Sequence, residues 1–170
     1  MPNFNYTLKR SIAILLFIGC TSAIHAQTQT ADSLVEIGDY QNAIKEYNSL
    51  DVNSTISFKI ARAHYATGNM DKAINAYQKG LEMDPDAVKP RFELGKLLLA
   101  TNDVVQAILI FRDLASKFPE NASFQFYKGQ GIEQLGSEES AMDIYENVLK
   151  LDPDYRRARI ELVPLLIKNR

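Results

Sequence analysis

Cysteine, histidine and tryptophan are almost missing from this 170-residue chain, which contains one Cys, two His and no Trp. A single cysteine excludes an intrachain disulfide, so packing alone stabilises the folded part. The chain has no Cys-x-x-Cys or His-x-x-His spacing and no glycine-rich phosphate loop, so it lacks the usual motifs of metal and nucleotide sites. We therefore expect no enzyme activity, no metal, no cofactor and no small-molecule substrate.

An excess of positive charge is also missing. The chain has 19 Lys and Arg against 21 Asp and Glu, a net charge of −2. Lys9 and Arg10 are the only charged residues before position 27, so residues 27–170 carry 17 cations against 21 acids, a net charge of −4. This mild acidity argues against nucleic-acid binding, which needs a basic face.

Long apolar runs are absent except near the N-terminus. Lys9 and Arg10 precede the apolar run from Ile12 to Cys20, and small residues follow up to Ala26. This order is typical of a secretory signal peptide. The run is too short for a membrane-spanning helix, which needs about 20 residues. We expect residues 1–26 to be a signal peptide and the protein to be exported to the periplasm or cell envelope.

The end of this signal has two interpretations. Cleavage after Ala26, which we favour, makes Gln27 the first residue of the mature chain. Alternatively, Phe17-Ile18-Gly19-Cys20 resembles a bacterial lipobox, although Phe17 stands where Leu is usual. Cys20 would then be lipidated, and the lipid would be the only attachment to a membrane.

A pattern of alanine, an apolar residue and, four residues after the alanine, an aromatic recurs from residue 43 onward. The alanines are separated by 30, 34 and 34 residues, and the copies are Ala43/Tyr47, Ala73/Tyr77, Ala107/Phe111 and Ala141/Tyr145. A fixed period of this size is typical of stacked helical units. We expect each alanine to lie where two helices approach most closely, with the aromatic filling the adjacent space.

Two kinds of break divide these units. The mid-unit breaks pair a residue that tolerates positive φ with a good helix N-cap: Gly38-Asp39, Gly68-Asn69, Asn102-Asp103 and Gly136-Ser137. The breaks at the ends of units contain Pro85, Pro119 and Pro153, again 34 residues apart. The sequence thus predicts helix–turn–helix pairs and no strands.

This pattern resembles the tetratricopeptide repeat family, in an exported, bacterial-type form. The resemblance depends on positions repeated in each unit, such as Ala61, Gly68 and Pro85, then Gly95, Ala107 and Pro119, then Gly129, Gly136 and Pro153. It implies an all-α, right-handed superhelical solenoid of antiparallel helix pairs. The domain would cover residues 27–170, with units at about 27–53, 54–87, 88–121 and 122–155 and a terminal helix at 156–170.

The two ends depart from the pattern. The first step of 30 residues predicts a shortened second helix or linker near residues 51–53. In the terminal helix we expect Ile160, Val163, Leu166 and Ile167 to pack, one apolar face to stay uncovered, and Pro164 to kink or loosen the helix. His64 takes a position where the family usually has an aromatic, so we interpret it as a packed core histidine.

The resemblance also implies a concave groove lined by the first helix of each unit. The predicted groove residues are an aromatic series with polar and apolar neighbours: Phe58, Arg62, Tyr65, Phe92, Lys96, Leu99, Phe126 and Gln130. Such an apolar line flanked by cations suits a peptide or helix with apolar residues and some negative charge.

We therefore predict a protein–protein interaction scaffold or adaptor of the bacterial cell envelope that holds a peptide or helix in this groove. One alternative is a lipid-anchored assembly factor for an outer-membrane or pilus complex. The other is a structural protein that self-associates into a homo-oligomer through its terminal helix.

Overall fold

Nine helices and no strand form the part of the chain that the computed structural model describes, residues 28–168. The predicted signal peptide, Cys20, Gln27 and residues 169–170 lie outside it. The helices are α1 (28–36), α2 (Tyr40–Asn48), α3 (Ser54–Ala66), α4 (Met70–Met83), α5 (Val88–Ala100), α6 (Val104–Lys117), α7 (Ala122–Gln134), α8 (Glu138–Leu151) and α9 (Arg156–Lys168). The all-α fold class is confirmed.

The described residues divide into two compact units, residues 28–73 and 74–168, and the boundary falls within α4. In the first unit, Ala31, Ala43, Tyr47 and Ile56 form the core of α1, α2 and α3. In the second unit, a core joins α7, α8 and α9. Its fully buried members, with no exposed surface, are Phe126, Ala141, Tyr145, Val148 and Ala158.

Every mid-unit turn ends its first helix in the same way. The residue before the N-cap has positive φ at each turn: Gly38 at 82°, Gly68 at 75°, Asn102 at 64° and Gly136 at 83°. In the last turn, Gly136 N–H donates to Glu133 C=O at 2.8 Å and Ser137 N–H donates to Ile132 C=O at 3.2 Å. This pair of hydrogen bonds is the Schellman motif, which satisfies the last carbonyl groups of a helix. The turn prediction is confirmed.

The N-caps are less regular than the sequence suggested. Asp39 Oδ1 accepts from Asn42 N–H at 3.3 Å, but Asp103 and Ser137 make no side-chain capping bond. Their ψ angles of 62° and 65° match the 63° of Asp39, so the backbone angle is not the cause of the difference. Side-chain caps occur instead between units, at Asn53 for α3 and Asn121 for α7.

Small residues set the closest helix contacts, as predicted. Ala43, Ala73, Ala107 and Ala141 have no exposed surface. Glycine has the same role on the facing helices: a Cβ at Gly95 would lie 2.7 Å from Cζ of Phe111, and one at Gly129 would lie 2.8 Å from Cε1 of Tyr145. The aromatic ring therefore occupies the space that a side chain at the glycine would need.

The ends of the array fit the sequence in part. Helix α2 has 9 residues where α4, α6 and α8 each have 14, which confirms the shortened second helix. Helix α9 continues through Pro164 to Lys168, so the proline does not end it. The expected packing set of α9 is wrong: Ala158, Leu162 and Leu165 are buried. The four residues expected to pack are exposed: Ile160, Val163, Leu166 and Ile167.

The close contact of α7 with α8 yields a prediction with an unusual sign. In an open helix, Gly→Ala stabilises by about 0.5–1 kcal/mol. We expect Gly129→Ala instead to lower the free energy of unfolding by about 1–3 kcal/mol, because the new methyl group overlaps the Tyr145 ring. Urea unfolding measures this, with Ser140→Ala on the exposed side of α8 as the control. An unchanged or increased stability of Gly129→Ala would show that the two helices are farther apart.

Candidate functional site

A cavity of about 370 Å³ opens on the first unit, between α1, α2 and α3. Each helix contributes to its lining, which combines two tyrosines, three charged residues and small apolar side chains: Asp32, Val35, Tyr40, Tyr47, Lys59, Arg62, Ala63 and Ala66. The volume lies in the range of ligand-binding clefts. Of the predicted groove residues, Arg62 lines this cavity.

Asp32 is the centre of the polar network in this cavity. Lys59 Nζ lies 2.6 Å from each carboxylate oxygen, and the Tyr47 hydroxyl donates to Oδ1. The Lys59 ammonium group also lies 5.7 Å from the centroid of the Tyr47 ring. Three residues from three helices are thus joined, which fixes the position of the charged groups at the cavity wall.

The network changes the acidity of two of its members. Burial alone would raise the pKa of Asp32, but the hydrogen bonds from Lys59 and Tyr47 and the charge of Lys59 outweigh it and lower that pKa. Burial, the hydrogen bond to Asp32 and its charge raise the pKa of the Tyr47 hydroxyl. The cavity lining therefore holds the Asp32 carboxylate beside Lys59 and Arg62, and at neutral pH the Tyr47 hydroxyl is neutral.

The other predicted residues of the first unit lie apart from this network. Tyr65 is 54% exposed on α3, which is compatible with partner contact. Phe58 is only 6% exposed and belongs to the core. The expectation of an exposed aromatic at position 58 is therefore wrong.

Phe92 in the second unit is half-buried and packs in an aromatic cluster. Its ring centroid lies 5.9 Å from that of Phe111 and 5.1 Å from those of Phe124 and Tyr127. Lys96 Nζ lies 5.1 Å from the centroid of the Phe92 ring. Phe92 and Lys96 thus lie together at a partly exposed surface.

Phe126 has no exposed surface, so the predicted exposed line is wrong there too. Its ring lies 5.1 Å from that of Tyr155, and the Arg157 guanidinium stands 4.7 Å from its centroid. The Phe126 ring therefore fills the space between α7 and the start of α9 instead of facing solvent. Leu99 is also buried, at 8% exposure, and lies against the surface of α7 at Gly131.

Acidic groups gather near the Tyr145 hydroxyl. It donates to Glu133 Oε2 at 2.6 Å, and Gln130 Nε2 donates to Glu161 Oε1 at 3.4 Å. Burial, the hydrogen bond to Glu133 and the charges of both carboxylates raise the pKa of Tyr145. The predicted residue Gln130 is therefore held by α9 and is half-buried.

His64 is half-buried, and its Nδ1 atom is buried without a hydrogen-bond partner among residues 28–168. Burial and the nearby charge of Lys72 lower its pKa, so the imidazole is neutral at physiological pH. A packed histidine agrees with the interpretation from the sequence. Among the same residues, no three His, Cys, Asp or Glu side chains come together as metal ligands would, and no helix has the length and apolarity to cross a membrane.

Sequence reasoning missed the network of Asp32, Tyr47 and Lys59. The sequence assigned Tyr47 only to the core. It did not indicate which residue accepts a hydrogen bond from the Tyr47 hydroxyl. Lys59 occupies the same repeat position as Glu93, Tyr127 and Glu161, at steps of 34, so the repeat gave no expectation for its charge.

Comparison with known proteins identifies the family. The tetratricopeptide repeat pattern matches residues 28–88, 58–117 and 92–156. These matches cover most of the chain, which therefore belongs to the tetratricopeptide repeat family.

Solved structures share this fold at low sequence identity. MamA residues 41-end from Desulfovibrio magneticus RS-1 superimposes with a TM-score of 0.79 at 13% identity, covering 86% of this chain and 85% of that one. YrrB, a TPR protein described as having an unusual peptide-binding site, gives a TM-score of 0.72 at 17% identity, covering 81% and 73%. These likenesses show the solenoid fold alone.

A curated relative is a Protein CTR9 homolog from Arabidopsis thaliana, 27% identical over 116 residues, which are 66% of this chain and 11% of that protein. The chain thus spans about a tenth of the length of the curated relative it matches.

The lowered pKa of Asp32 predicts how the network depends on pH. Because the folded protein binds this proton less readily than the unfolded chain, the stabilisation is present above the ordinary aspartate pKa of 3.8 and is lost as pH falls through the lowered value. We expect Asp32→Asn to lower the melting temperature at pH 7, and the difference from wild type to shrink towards about pH 3. Thermal melts across this range, with the exposed Asp86→Asn as control, measure it. A difference that stays constant with pH would refute the ion-pair role.

Proposed function

We propose that this protein is a protein-binding scaffold or adaptor whose first unit takes a peptide segment into the cavity between α1, α2 and α3. The observation that carries the proposal is the cavity of about 370 Å³ with Tyr40, Tyr47 and three charged side chains in its lining. Membership of the tetratricopeptide family supports a binding role, because proteins of this fold bind protein or peptide partners.

The lining favours a particular kind of segment. Val35, Ala63 and Ala66 with the tyrosine rings offer an apolar surface for one large side chain. The lining also carries the basic side chains of Lys59 and Arg62 beside the carboxylate of Asp32. A segment that places an apolar side chain next to a carboxylate would match both features.

We also propose that the protein acts in the cell envelope after removal of residues 1–26. This part of the proposal is supported by the order of charge, apolar run and small residues before Gln27. Lipidation at Cys20 remains the alternative, with a role as an anchored assembly factor.

The test is selection of random peptides on the purified chain, followed by affinity measurement for the selected sequences. We expect them to combine an apolar residue with a neighbouring Asp or Glu. Arg62→Glu should weaken their binding by about tenfold or more, since a like charge would now face the ligand carboxylate. Added salt should also weaken binding to the wild type.

The matched control is Arg112→Glu, which makes the same charge change on helix α6, outside the cavity. Equal loss in both variants would mean a general effect of net charge. Selected peptides that bind Arg62→Glu as well as wild type would contradict the cavity as the binding site.

A further inference from the structure

Helix α9 is apolar on two opposite sides. Ala158, Leu162 and Leu165 are buried in the core formed with α7 and α8. With a turn of about 100° per residue, Ile160, Val163 and Ile167 lie on the opposite side. They are 65%, 49% and 70% exposed. We call these three residues the outer stripe of α9.

The outer stripe is unusual because its large apolar side chains are exposed. A helix that is apolar all round is normally covered on all sides. In the part of the chain that the structure describes, the outer stripe is left exposed to solvent. Its spacing of three and four residues is that of a helix-binding face.

The repeat register restricts what can cover this face. Val163 stands 34 residues after Gly129 and 68 after Gly95, where the ring of Tyr145 or Phe111 lies within 2.8 Å of a Cβ position. Valine fills that space with its own side chain. A helix carrying an aromatic residue could therefore not dock on α9 as α6 and α8 dock on their partners, and a covering helix must lie farther away.

The charged residues around the stripe restrict which kind of partner can cover it. Helix α9 contains Arg156, Arg157, Arg159 and Lys168 against the single acid Glu161. Arg156 lies at the start of the stripe, and Lys168, at its end, forms an ion pair with Glu138 at 2.6 Å. If two copies paired through α9, the excess of cations on the helix of one copy would face the same excess on the other, in a parallel or an antiparallel arrangement. Like charges at such short range oppose both arrangements.

A lipid surface fits the face less well than a protein helix does. Helix α9 contains no aromatic residue, whereas helices that lie in a membrane surface usually carry Trp or Phe on the apolar side.

From the stripe, its register and its charge, we propose that the outer stripe of α9 binds an amphipathic helix of a protein partner whose apolar residues are flanked by Asp and Glu. This surface consists of different residues from those that line the cavity between α1, α2 and α3. Partner recognition would then use two surfaces with different requirements: a cavity for a side chain, and a flat stripe for a helix.

The test uses two designed helical peptides of equal length with the same leucine stripe, one flanked by glutamates and the other by lysines. Fluorescence anisotropy with the full chain measures their affinity. We expect the acidic peptide to bind and the basic peptide to bind at least about tenfold more weakly. Ile160→Ser with Ile167→Ser should reduce binding of the acidic peptide by at least about tenfold, because both apolar anchors are removed.

The control variant is Val105→Ser with Leu109→Ser on α6, since those residues are also exposed, at 59% and 43%. It should bind the acidic peptide as wild type does. Unchanged binding after the α9 exchange, or equal binding of both peptides, would overturn the proposal. A dimer of the wild type that Ile160→Ser with Ile167→Ser abolishes would overturn it in favour of a second copy as the occupant. Loss of binding to anionic vesicles in the same variant would overturn it in favour of a lipid surface.

The cavity variant separates this proposal from the proposed function. Arg62→Glu should leave binding of the acidic helix unchanged, and the α9 variant should leave binding of the selected peptides unchanged. Binding of the acidic helix and binding of the selected peptides are thus tested separately, so that the failure of one proposal can be distinguished from the failure of the other.

Discussion

The contact between a small residue on one helix and an aromatic ring on the next is the constraint on which this structure depends. Where Gly129 faces Tyr145, a single added carbon would lie 2.8 Å from the ring, and Gly95 and Phe111 repeat the geometry. The contact fixes the separation of the helices in a pair, and the Schellman turn at positive φ fixes their reversal. Once both are set, the side chains on the first helices have little freedom in where they lie.

The same aromatic residue also connects the core to the candidate site. Its ring is buried, but where it is tyrosine its hydroxyl reaches the first helices and meets an acid there: Tyr47 with Asp32, Tyr77 with Glu93, and Tyr145 with Glu133. Where it is Phe111, the ring of Tyr127 stacks on it instead, with centroids 5.4 Å apart. Core packing therefore determines where the polar groups of each unit can lie.

The repeat made the fold predictable, whereas the candidate site was predictable only in part. Helix order, turn positions, the buried alanines and the short α2 all follow from periodic small residues, glycine and proline, whose effects are local. Phe126 was predicted to be exposed because its register alone was considered, but Tyr155 and Arg157 of the following segment cover it. The ion pair of Asp32 with Lys59 joins residues 27 positions apart at non-equivalent repeat positions, so no periodic signal could reveal it.

Residues that differ between units can distinguish one binding partner from another. The residues that are repeated in every unit cannot do so. The position that holds Lys59 holds Glu93, Tyr127 and Glu161 in later units, and these exchanges do not disturb the small-to-aromatic contacts. Carboxylates lie near the hydroxyl of Tyr145, whereas Lys59 and Arg62 line the cavity of the first unit. Val163 is another such difference, because it stands at the repeat position of Gly95 and Gly129. Its side chain prevents the close helix contact that glycine allows, and the apolar face of α9 is exposed. A fold that needs only a few fixed small residues per unit thus leaves the charge and shape of its surfaces free to specify binding.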